Sequence, residues 1–229
     1  MEGRGGVSPP EAFEPAFGWC AREVEQELPE LRVLLDEVAV GGGIAVIGDS
    51  PRAVRERLRE LSNKFRGARA VAVRRERVPA AYRAFFPQIG LDPDIMRTPI
   101  EAAVLDRMLR GGFPSRGLLA DVLLIALLDR GVPVWALDSE CVDGPVGIRP
   151  SREEERFGRS PDAPALAAGR LVIADASSAL AILFGPLAPG HEPARSTHRL
   201  TLFAIQVAGV PALFVEEALW HCHAALERS

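Results

Sequence analysis

The sequence lacks the features that mark several large classes of protein. No apolar stretch reaches the roughly 18 residues that a membrane-spanning helix needs, because Asp121 and Asp129 interrupt the longest candidate, GLLADVLLIALLDRG. The opening residues, MEGRGGVSPPEAFEP, contain acids and prolines and no apolar core, which is untypical of a signal peptide. We therefore expect a cytoplasmic protein without a membrane partner.

Cysteines and recognisable catalytic motifs are also few. Cys20, Cys141 and Cys222 lie far apart without a CxxC spacing, which argues against a disulfide framework and a thiolate zinc site and favours reduced structural thiols. The chain has no Gly-x-Ser-x-Gly elbow, P-loop or zinc-protease motif. The glycines at 41–43 precede a predicted strand rather than follow one. They therefore do not fit a dinucleotide-binding fingerprint, whose glycines lie between a strand and a helix. We expect no cofactor and no metal.

Lysine is nearly absent, since Lys64 is the only one among 27 cationic residues. We interpret this bias towards arginine first as an effect of genome composition and only second as a sign of function. The net charge of −4 argues against a broad nucleic-acid surface, because phosphate binding depends on clustered cations. We expect no DNA partner, and a small local basic patch remains open.

The chain has 229 residues, which suits one domain with a substantial core. Residues 1–16 are predicted to form a flexible lead-in, and residues 17–229 a single domain. The spacing of leucines between Gly18 and Val38 predicts an amphipathic helix interrupted at Pro29. A short buried strand is predicted from Ile44 to Ile47, and then a helix with Asp49 or Ser50 as N-cap and Pro51 as its first residue.

The middle and the end of the chain give clearer patterns. ARAVAVRRERV alternates like a strand, and PAAYRAFFPQIGLDP predicts a short helix closed by a turn at Gly90 and Pro93. Thr98, Pro99 and Glu101 form a helix-start signature in TPIEAAVLDRMLRGGFP. Six further segments predict a buried helix, four short strands and a closing helix, in this order: RGLLADVLLIALLDRG; VPVWALD, VGIRP, GRLVIAD and RLTLFAIQVAG; VEEALWHCHAALERS. Early helices and late strands predict an α+β fold.

The order of these segments resembles the B3/B4 domain, the editing module of the bacterial phenylalanyl-tRNA synthetase β subunit that also occurs as free-standing proteins. The likeness extends from about Val78 to Ala208. It rests on YRAFFPQIGLDPDIMRTPIEAAVLDRMLRGGFP, on LLADVLLIALLDRGVPVWALD, and on LVIADASSALAILFG with the Ser-Thr of ARSTHRLTLFA. The resemblance implies a layered α+β domain with an unusual β-sandwich and packed helices.

The resemblance also implies an activity, the hydrolysis of an ester that joins the wrong amino acid, tyrosine, to the tRNA 3′ end. Such a site needs a tight pocket and a positioned water. Five residues match the family pattern: Arg97, Arg107, Asp121, Pro133 and Asp138. Three positions depart from it, with Trp135 in place of the pocket His, Phe203 in place of a tyrosine-recognising Glu, and Leu124 in place of a frequent Asn. The resemblance therefore supports the scaffold and not tyrosine editing.

Two interpretations stay open for each candidate residue. Trp135 is either core or a pocket wall, and with Phe203 it would make an apolar binding pocket together with Arg97, Arg107 and Asp138. Asp121 interrupts a buried helix, so its carboxylate needs partners, either at the helix end or in an ion pair with Arg97 or Arg107; the catalytic interpretation has it orient a water.

The remaining polar residues are also ambiguous. His198, beside Ser196 and Thr197, is the plausible histidine general base, or else a solvated loop residue. His221 and His223 point to different helix faces and cannot both ligate one ion. Four arginines border an acid-rich segment that is either a solvated loop or a contact for a tRNA acceptor end: Arg149, Arg152, Arg156 and Arg159.

The sequence thus leads to two hypotheses from different classes. In the first, a free-standing B3/B4-like protein binds an amino acid or an aminoacylated tRNA 3′ end near Trp135 and hydrolyses mischarged tRNA in trans, with Ser196 or Thr197 holding substrate. In the second, a non-catalytic module binds a small molecule or a protein and has lost the chemistry. A cationic path to the pocket would distinguish the first from the second.

Overall fold

The computed structural model describes Pro9, residues 13–41 and residues 48–228. The helices are α1 (Arg22–Glu27), α2 (Arg52–Lys64), α3 (Ala68–Ala72), α4 (Arg77–Phe85), α5 (Pro99–Arg110), α6 (Leu118–Arg130) and α7 (Ala212–Leu226). Short 3₁₀ turns cover Val73–Arg75, Phe86–Ile89 and Ser139–Cys141. The strands are β1 (Ala16–Phe17), β2 (Trp19–Cys20), β3 (Arg32–Ala39), β4 (Val134–Asp138), β5 (Gly147–Pro150), β6 (Leu171–Ala174), β7 (Ala179–Ile182) and β8 (Arg199–Gln206).

The strands form two sheets of four, which together with the helices confirm the α+β class. The first sheet is antiparallel with the order β1-β3-β8-β4, and the second has the order β2-β5-β6-β7 with a parallel β2-β5 pair. Helix α7 packs on β3 and β8, and α6 packs on α7. Buried residues of both sheets and of these helices belong to one hydrophobic core.

The chain passes from the first sheet to the second at Gly18. The Gly18 amide donates to the carbonyl of Val33 at 2.9 Å, and the next amide, of Trp19, donates to the carbonyl of Val146 at 3.2 Å. A Cβ on Gly18 would lie 2.5 Å from both the Val146 oxygen and the Val33 Cγ1. Only glycine lets the two sheets approach this closely.

The predicted helix from Gly18 to Val38 is wrong, because most of that segment forms strands β1, β2 and β3 around the short α1. Strand β3 lies between β1 and β8, and in its first half the consecutive residues Val33 and Leu34, which point to opposite faces, are both within the core. A strand buried on both sides loses the alternation that identifies strands in sequence. Its leucines therefore imitate a helical spacing.

The strand predicted for ARAVAVRRERV is also wrong, since α3 and a 3₁₀ turn occupy most of it. Ala70 and Val73, three residues apart, are buried in a second core cluster with Ile100 and Val104 of α5. A spacing of three places both side chains on one side of a helical turn. The alternation in this segment was too short to exclude that arrangement.

The predicted helices of the second half are confirmed as α4, α5, α6 and α7, and the predicted strands as β4, β5, β6 and β8. Thr98 is the N-cap of α5, and Pro99 is the first helical residue. The amide and the hydroxyl of Thr98 both donate to the Glu101 carboxylate. Helix α2 begins at Arg52, one residue later than predicted. The strand predicted at Ile44 to Ile47 lies outside the described residues.

The predicted lead-in is partly described. Phe13 packs on Trp220 and His223 of α7, with ring centroids 5.1 and 5.9 Å away, and Ala16 pairs with Leu35 in the first sheet. These two residues belong to the folded structure rather than to a flexible segment.

Candidate functional site

A pocket of about 340 Å³ opens where β4 meets the helices. Helix α6 forms one wall, the start of α5 forms the rim, and the first residues of β4 form the floor. The lining residues that matter for its chemistry are Arg97, Ala102, Leu124, Pro133, Trp135 and Phe184. With one charged residue among mostly apolar ones, this composition is typical of small-molecule sites.

Trp135 is both a wall of this pocket and part of the packing behind it. Its indole stacks on Phe203 of β8, with centroids 5.3 Å apart and planes 9° apart, and Trp135 and Phe203 are register partners in the sheet. Trp135 is half-buried, whereas Phe203 is fully buried. The structure therefore places Trp135 at the pocket surface and Phe203 beside it on the neighbouring strand, where it supports the indole.

Phe184 is a lining residue that sequence reasoning missed. Its ring meets Trp135 edge to face at 6.1 Å and also contacts Tyr82, Phe85 and Phe86 of the α4 region, at 5.6, 6.0 and 5.2 Å. Its backbone has φ of +57°, a conformation that costs a bulky residue about 1–3 kcal/mol. The surrounding rings hold Phe184 against the pocket in spite of that cost.

The α4 ring that supports Phe184 is itself fixed to the sheet. The Tyr82 hydroxyl donates to the carbonyl of Ile205 in β8 at 2.6 Å. Burial raises the pKa of Tyr82 far above its ordinary value, so the hydroxyl stays protonated and remains a donor. The aromatic side of the pocket is thus anchored to the first sheet.

Arg97 is the cation of the pocket rim. Its side chain is exposed and has no hydrogen bond or ion pair within the described part of the chain. The loop before it is fixed by Arg83, which donates to the Pro93 carbonyl at 3.2 Å and to Glu101 at 3.0 Å and also bonds Asp94. Arg97 is therefore a positioned and unused guanidinium beside an apolar pocket.

Asp121 has a different surrounding from the pocket residues. It is 1% exposed, and its carboxylate accepts hydrogen bonds from the Ser50 hydroxyl at 2.6 Å, from the Arg116 amide at 2.8 Å and from the Ser115 hydroxyl. The ion pair predicted with Arg97 or Arg107 is absent from these contacts. The carboxylate joins the start of α6 to the segments that precede α2 and α6.

Arg107 also lies away from the pocket. Its guanidinium donates to the carbonyl of Ser62 in α2 at 2.9 and 3.1 Å. This contact ties the end of α5 to α2. The binding role predicted for Arg107 is therefore not supported by its position.

Asp138 and Thr197 form a closed polar cluster at the far end of β4. Thr197 has no exposed surface, and its hydroxyl donates to Asp138 at 2.6 Å and accepts from the Ala194 amide at 2.9 Å. Asp138 also accepts from the Glu140 amide at 3.0 Å. Both side chains hold the 194–197 loop and the 3₁₀ turn, and neither lines the pocket.

Ser196 and His198 flank Thr197 and are exposed. The His198 carbonyl accepts from the Val40 amide at 2.9 Å, which fixes its backbone beside β3. The structure therefore brings Ser196, Thr197 and His198 together with Asp138, but not with Trp135 or Arg97.

The histidines of α7 have separate surroundings. His223 bonds Asp36 of β3 through Nδ1 at 2.8 Å, and burial raises the pKa of Asp36 more than this bond lowers it. Burial lowers the pKa of His221. Within the described ranges, no group of three His, Cys, Asp or Glu side chains is arranged to hold a metal ion.

The arginine-rich segment after β5 is not a solvated loop throughout. Arg149 is 6% exposed and pairs with Glu155 at 2.7 Å. Arg156 donates to the Ala163 carbonyl at 2.8 Å, and Arg159 donates to the Cys141 sulfur at 2.8 Å. Arg152 is exposed. Three of these four cations are thus used within the fold.

Part of this chain is similar in sequence to a short part of a much longer protein. The chain is 36% identical over 88 residues to the phenylalanine–tRNA ligase beta subunit of Xanthomonas axonopodis pv. citri, and the match covers 38% of this chain and 10% of that protein. It is 33% identical over 66 residues to the same subunit of Xylella fastidiosa, with 29% of this chain and 8% of that protein covered. No family model matches the chain.

These matches show a region similar to the phenylalanine–tRNA ligase beta subunit. Over the described residues, no helix is both long and apolar enough to cross a membrane.

Proposed function

We propose that residues 17–229 form one B3/B4-like domain, whose pocket beside Trp135 binds an amino acid or the aminoacylated 3′ end of a tRNA. The similarity to the phenylalanine–tRNA ligase beta subunit supports the choice of ligand. The observation that carries the proposal is the combination, in one pocket, of aromatic walls and a free cation.

The chemistry of the pocket matches that of the proposed ligand. An apolar or aromatic amino-acid side chain would pack against Trp135, Phe184 and Leu124. The guanidinium of Arg97 would pair with a carboxylate of a free amino acid or with the terminal phosphate of an RNA strand, both of which suit its planar fork of donors. The two ligands share this pairing of an apolar part with an anionic group.

The catalytic form of the proposal is hydrolysis of mischarged tRNA in trans. Water would attack the ester carbonyl, the bond to the ribose oxygen would break, and the free amino acid and the tRNA 3′ hydroxyl would leave. Such a site needs polar groups around the ester, and four were predicted: Asp121, Ser196, Thr197 and His198.

The contacts of these four residues favour the second candidate, a binding module without catalysis. Asp121 and Thr197 are buried and hydrogen-bonded within the fold, and Ser196 and His198 lie at the other end of β4. A pocket without these groups can select a ligand by shape alone, and a missing methylene changes such selection by only about 1–3 kcal/mol.

The test is a panel of correctly and incorrectly charged tRNAs, measured for deacylation and for binding with the purified protein. Binding of one charged species, lost in Trp135→Ala and kept in Trp220→Phe, is the expected result. Trp220 is a matched control because its indole lies on α7 beside Phe13, outside the pocket.

Hydrolysis of the bound species would establish the catalytic form, and binding without hydrolysis would establish the module. Trp135→His introduces the residue that the resembled family has at this position. Its binding shows whether Trp135→Ala loses the ligand because a contact is missing or because the fold is lost. Equal binding of charged and uncharged tRNA by wild type and Trp135→Ala would refute the proposal.

A further inference from the structure

The positive charge of this acidic protein is concentrated in one segment. From Arg52 to Arg77 the sequence has ten arginine or lysine residues and three glutamates, a net charge of +7, whereas the whole chain has a net charge of −4. The segment covers α2, α3 and the start of α4. The rest of the molecule is therefore strongly acidic, and the segment stands out as a local basic surface.

Most of these cations are not used within the fold. Six arginines of the segment are exposed and have no hydrogen bond or ion pair to any described residue: Arg55, Arg59, Arg66, Arg74, Arg75 and Arg77. Exposed guanidinium groups without carboxylate partners repel one another, and an anionic ligand would relieve that repulsion.

Two of the free arginines line a groove between α2 and the end of α5. Arg59 and Arg66 lie on the α2 side, Arg110 lies on the α5 side, and the groove has a volume of about 690 Å³. No acidic residue is among the described residues that line it. We name this feature the arginine groove.

The floor of the arginine groove is rigid. The buried Ser62 hydroxyl donates to the Leu58 carbonyl at 2.8 Å and accepts from the Phe113 amide at 2.8 Å. Arg107 joins the same point through the Ser62 carbonyl. Because α2, α5 and the loop after α5 are all bonded to Ser62, the backbone that carries the arginines of the groove is held in place.

Helix α5 connects the arginine groove to the pocket. Ala102 lines the pocket, Arg110 lines the groove, and Asp106 lies between them, so the three follow one another at four-residue spacing along one side of the helix. Asp106 is bonded by both Arg110 and Arg116, at 2.6 and 2.7 Å. The two ion pairs therefore offset the negative charge of Asp106 between the two sites.

The separation suits a short single strand. Eight residues of helix span about 12 Å, which equals roughly three or four stacked nucleotides at about 3.4 Å each. A strand with its end in the pocket would carry its preceding phosphates to the arginine groove.

From this placement we propose that the arginine groove binds the phosphate backbone of the tRNA acceptor strand. The inference rests on the proposed function, because it takes the 3′ end in the pocket as given. Guanidinium forks match phosphate oxygens in pairs. A concave groove lined by three arginines fits a nucleic-acid strand better than a planar lipid surface.

The test measures the affinity of the full-length chain for uncharged tRNA across a salt series. The test variant is Arg59→Gln with Arg66→Gln, which removes two exposed cations that have no partner. The control is Arg22→Gln with Arg170→Gln, an equal loss of exposed charge away from the groove. Urea unfolding should show equal stability for all three proteins.

We expect the groove variant to bind tRNA at least about tenfold more weakly and to lower the salt slope by about 1.4 to 1.8, since each lost phosphate contact removes about 0.7 to 0.9. The control should bind tRNA as wild type does. Unchanged affinity and slope in the groove variant would overturn the inference, as would displacement of tRNA by phosphatidylserine vesicles at lower charge concentration than by a second RNA.

Trp135→Ala separates the failure of the inference from the failure of the proposed function. If it binds uncharged tRNA with the wild-type salt slope and loses only the preference for a charged end, both stand. Free amino acid bound in the pocket with no tRNA binding would refute the groove alone. Binding of tRNA through the groove, with no effect of the aminoacyl group, would refute the pocket proposal alone.

Discussion

Trp135 and Asp138, towards the two ends of strand β4, lie only three residues apart and have opposite surroundings. At Trp135 the strand faces an open pocket with aromatic walls and a cation that no described residue pairs. At Asp138 it ends in a closed cluster in which Thr197 and the Glu140 amide take up the carboxylate oxygens. The polar group beside Trp135 is free to bind a ligand, whereas the polar groups at Asp138 are already hydrogen-bonded to the loops that they hold.

This difference separates residues that bind from residues that support. A polar side chain whose partners all lie within the fold contributes to stability, and its removal leaves buried donors unpaired. An exposed cation beside an apolar pocket contributes little to stability and is available to a ligand. The type of a residue is the same in both settings, and only its contacts tell the settings apart.

The largest effect that tests this comparison is on stability. Asp138→Ala leaves the Thr197 hydroxyl and the Glu140 amide without their acceptor, and we expect the free energy of unfolding to fall by about 3 kcal/mol. Urea unfolding measures the change.

Trp135→Phe is the matching change at the other end. It keeps a ring on Phe203 and should cost less than about 1.5 kcal/mol, while it alters ligand binding. If Asp138→Ala abolished binding at full stability, the closed cluster would be part of the site after all.

A smaller effect concerns the pH dependence of stability, and it arises at His221 of α7 rather than at either end of β4. Burial lowers the pKa of His221 below its ordinary value of 6.5, against the opposing effect of Asp129 and with the help of Arg130, Arg57 and Arg228. As the pH falls through about 6.5, the unfolded chain therefore takes up a proton that the folded chain resists, and stability falls.

His221→Gln should reduce the loss of stability between pH 7.5 and pH 5.5, measured by urea unfolding at both values. Trp135→Phe should show the same loss as wild type, because Trp135 is on β4 and not on α7. An equal loss in His221→Gln and wild type would contradict the assignment.

The smallest effect is on thiol reactivity. Cys141 is half-buried and ends the 3₁₀ turn that Asp138 begins, so Asp138→Ala should raise its rate of alkylation several-fold, and Trp135→Phe should leave the rate unchanged. Cys222 has no exposed surface, and burial raises its pKa, so it should react only when the protein unfolds. Mass spectrometry of the labelled protein distinguishes the three thiols.

Much of the fold could be predicted from local signals. The start of α5 is predicted by Thr98, Pro99 and Glu101, and α6 is predicted by a mostly apolar segment that is followed by Gly131. Strand β3 could not be predicted in this way, because it pairs with β8, which is distant in sequence, and with β1, which has only two residues. The pairing of strands is a property of the whole chain.

The candidate site could be predicted only in part. The resemblance placed Trp135 and Arg97 at a pocket, and both line it. Phe184 gave no comparable signal, since its position depends on a left-handed backbone conformation and on four other rings. Asp121 and Asp138 matched the family pattern, but a pattern does not reveal whether a carboxylate is already saturated by hydrogen bonds.

The passage at Gly18 has a consequence for aggregation. The strands on either side of it, β1 and β2, are each an outer strand of their own sheet, where they cover β3 and β5. Five consecutive residues thus cover part of one hydrogen-bonding edge in each sheet. If this short segment detached, two unpaired edges would be exposed at once, and each would be a template for pairing with another chain.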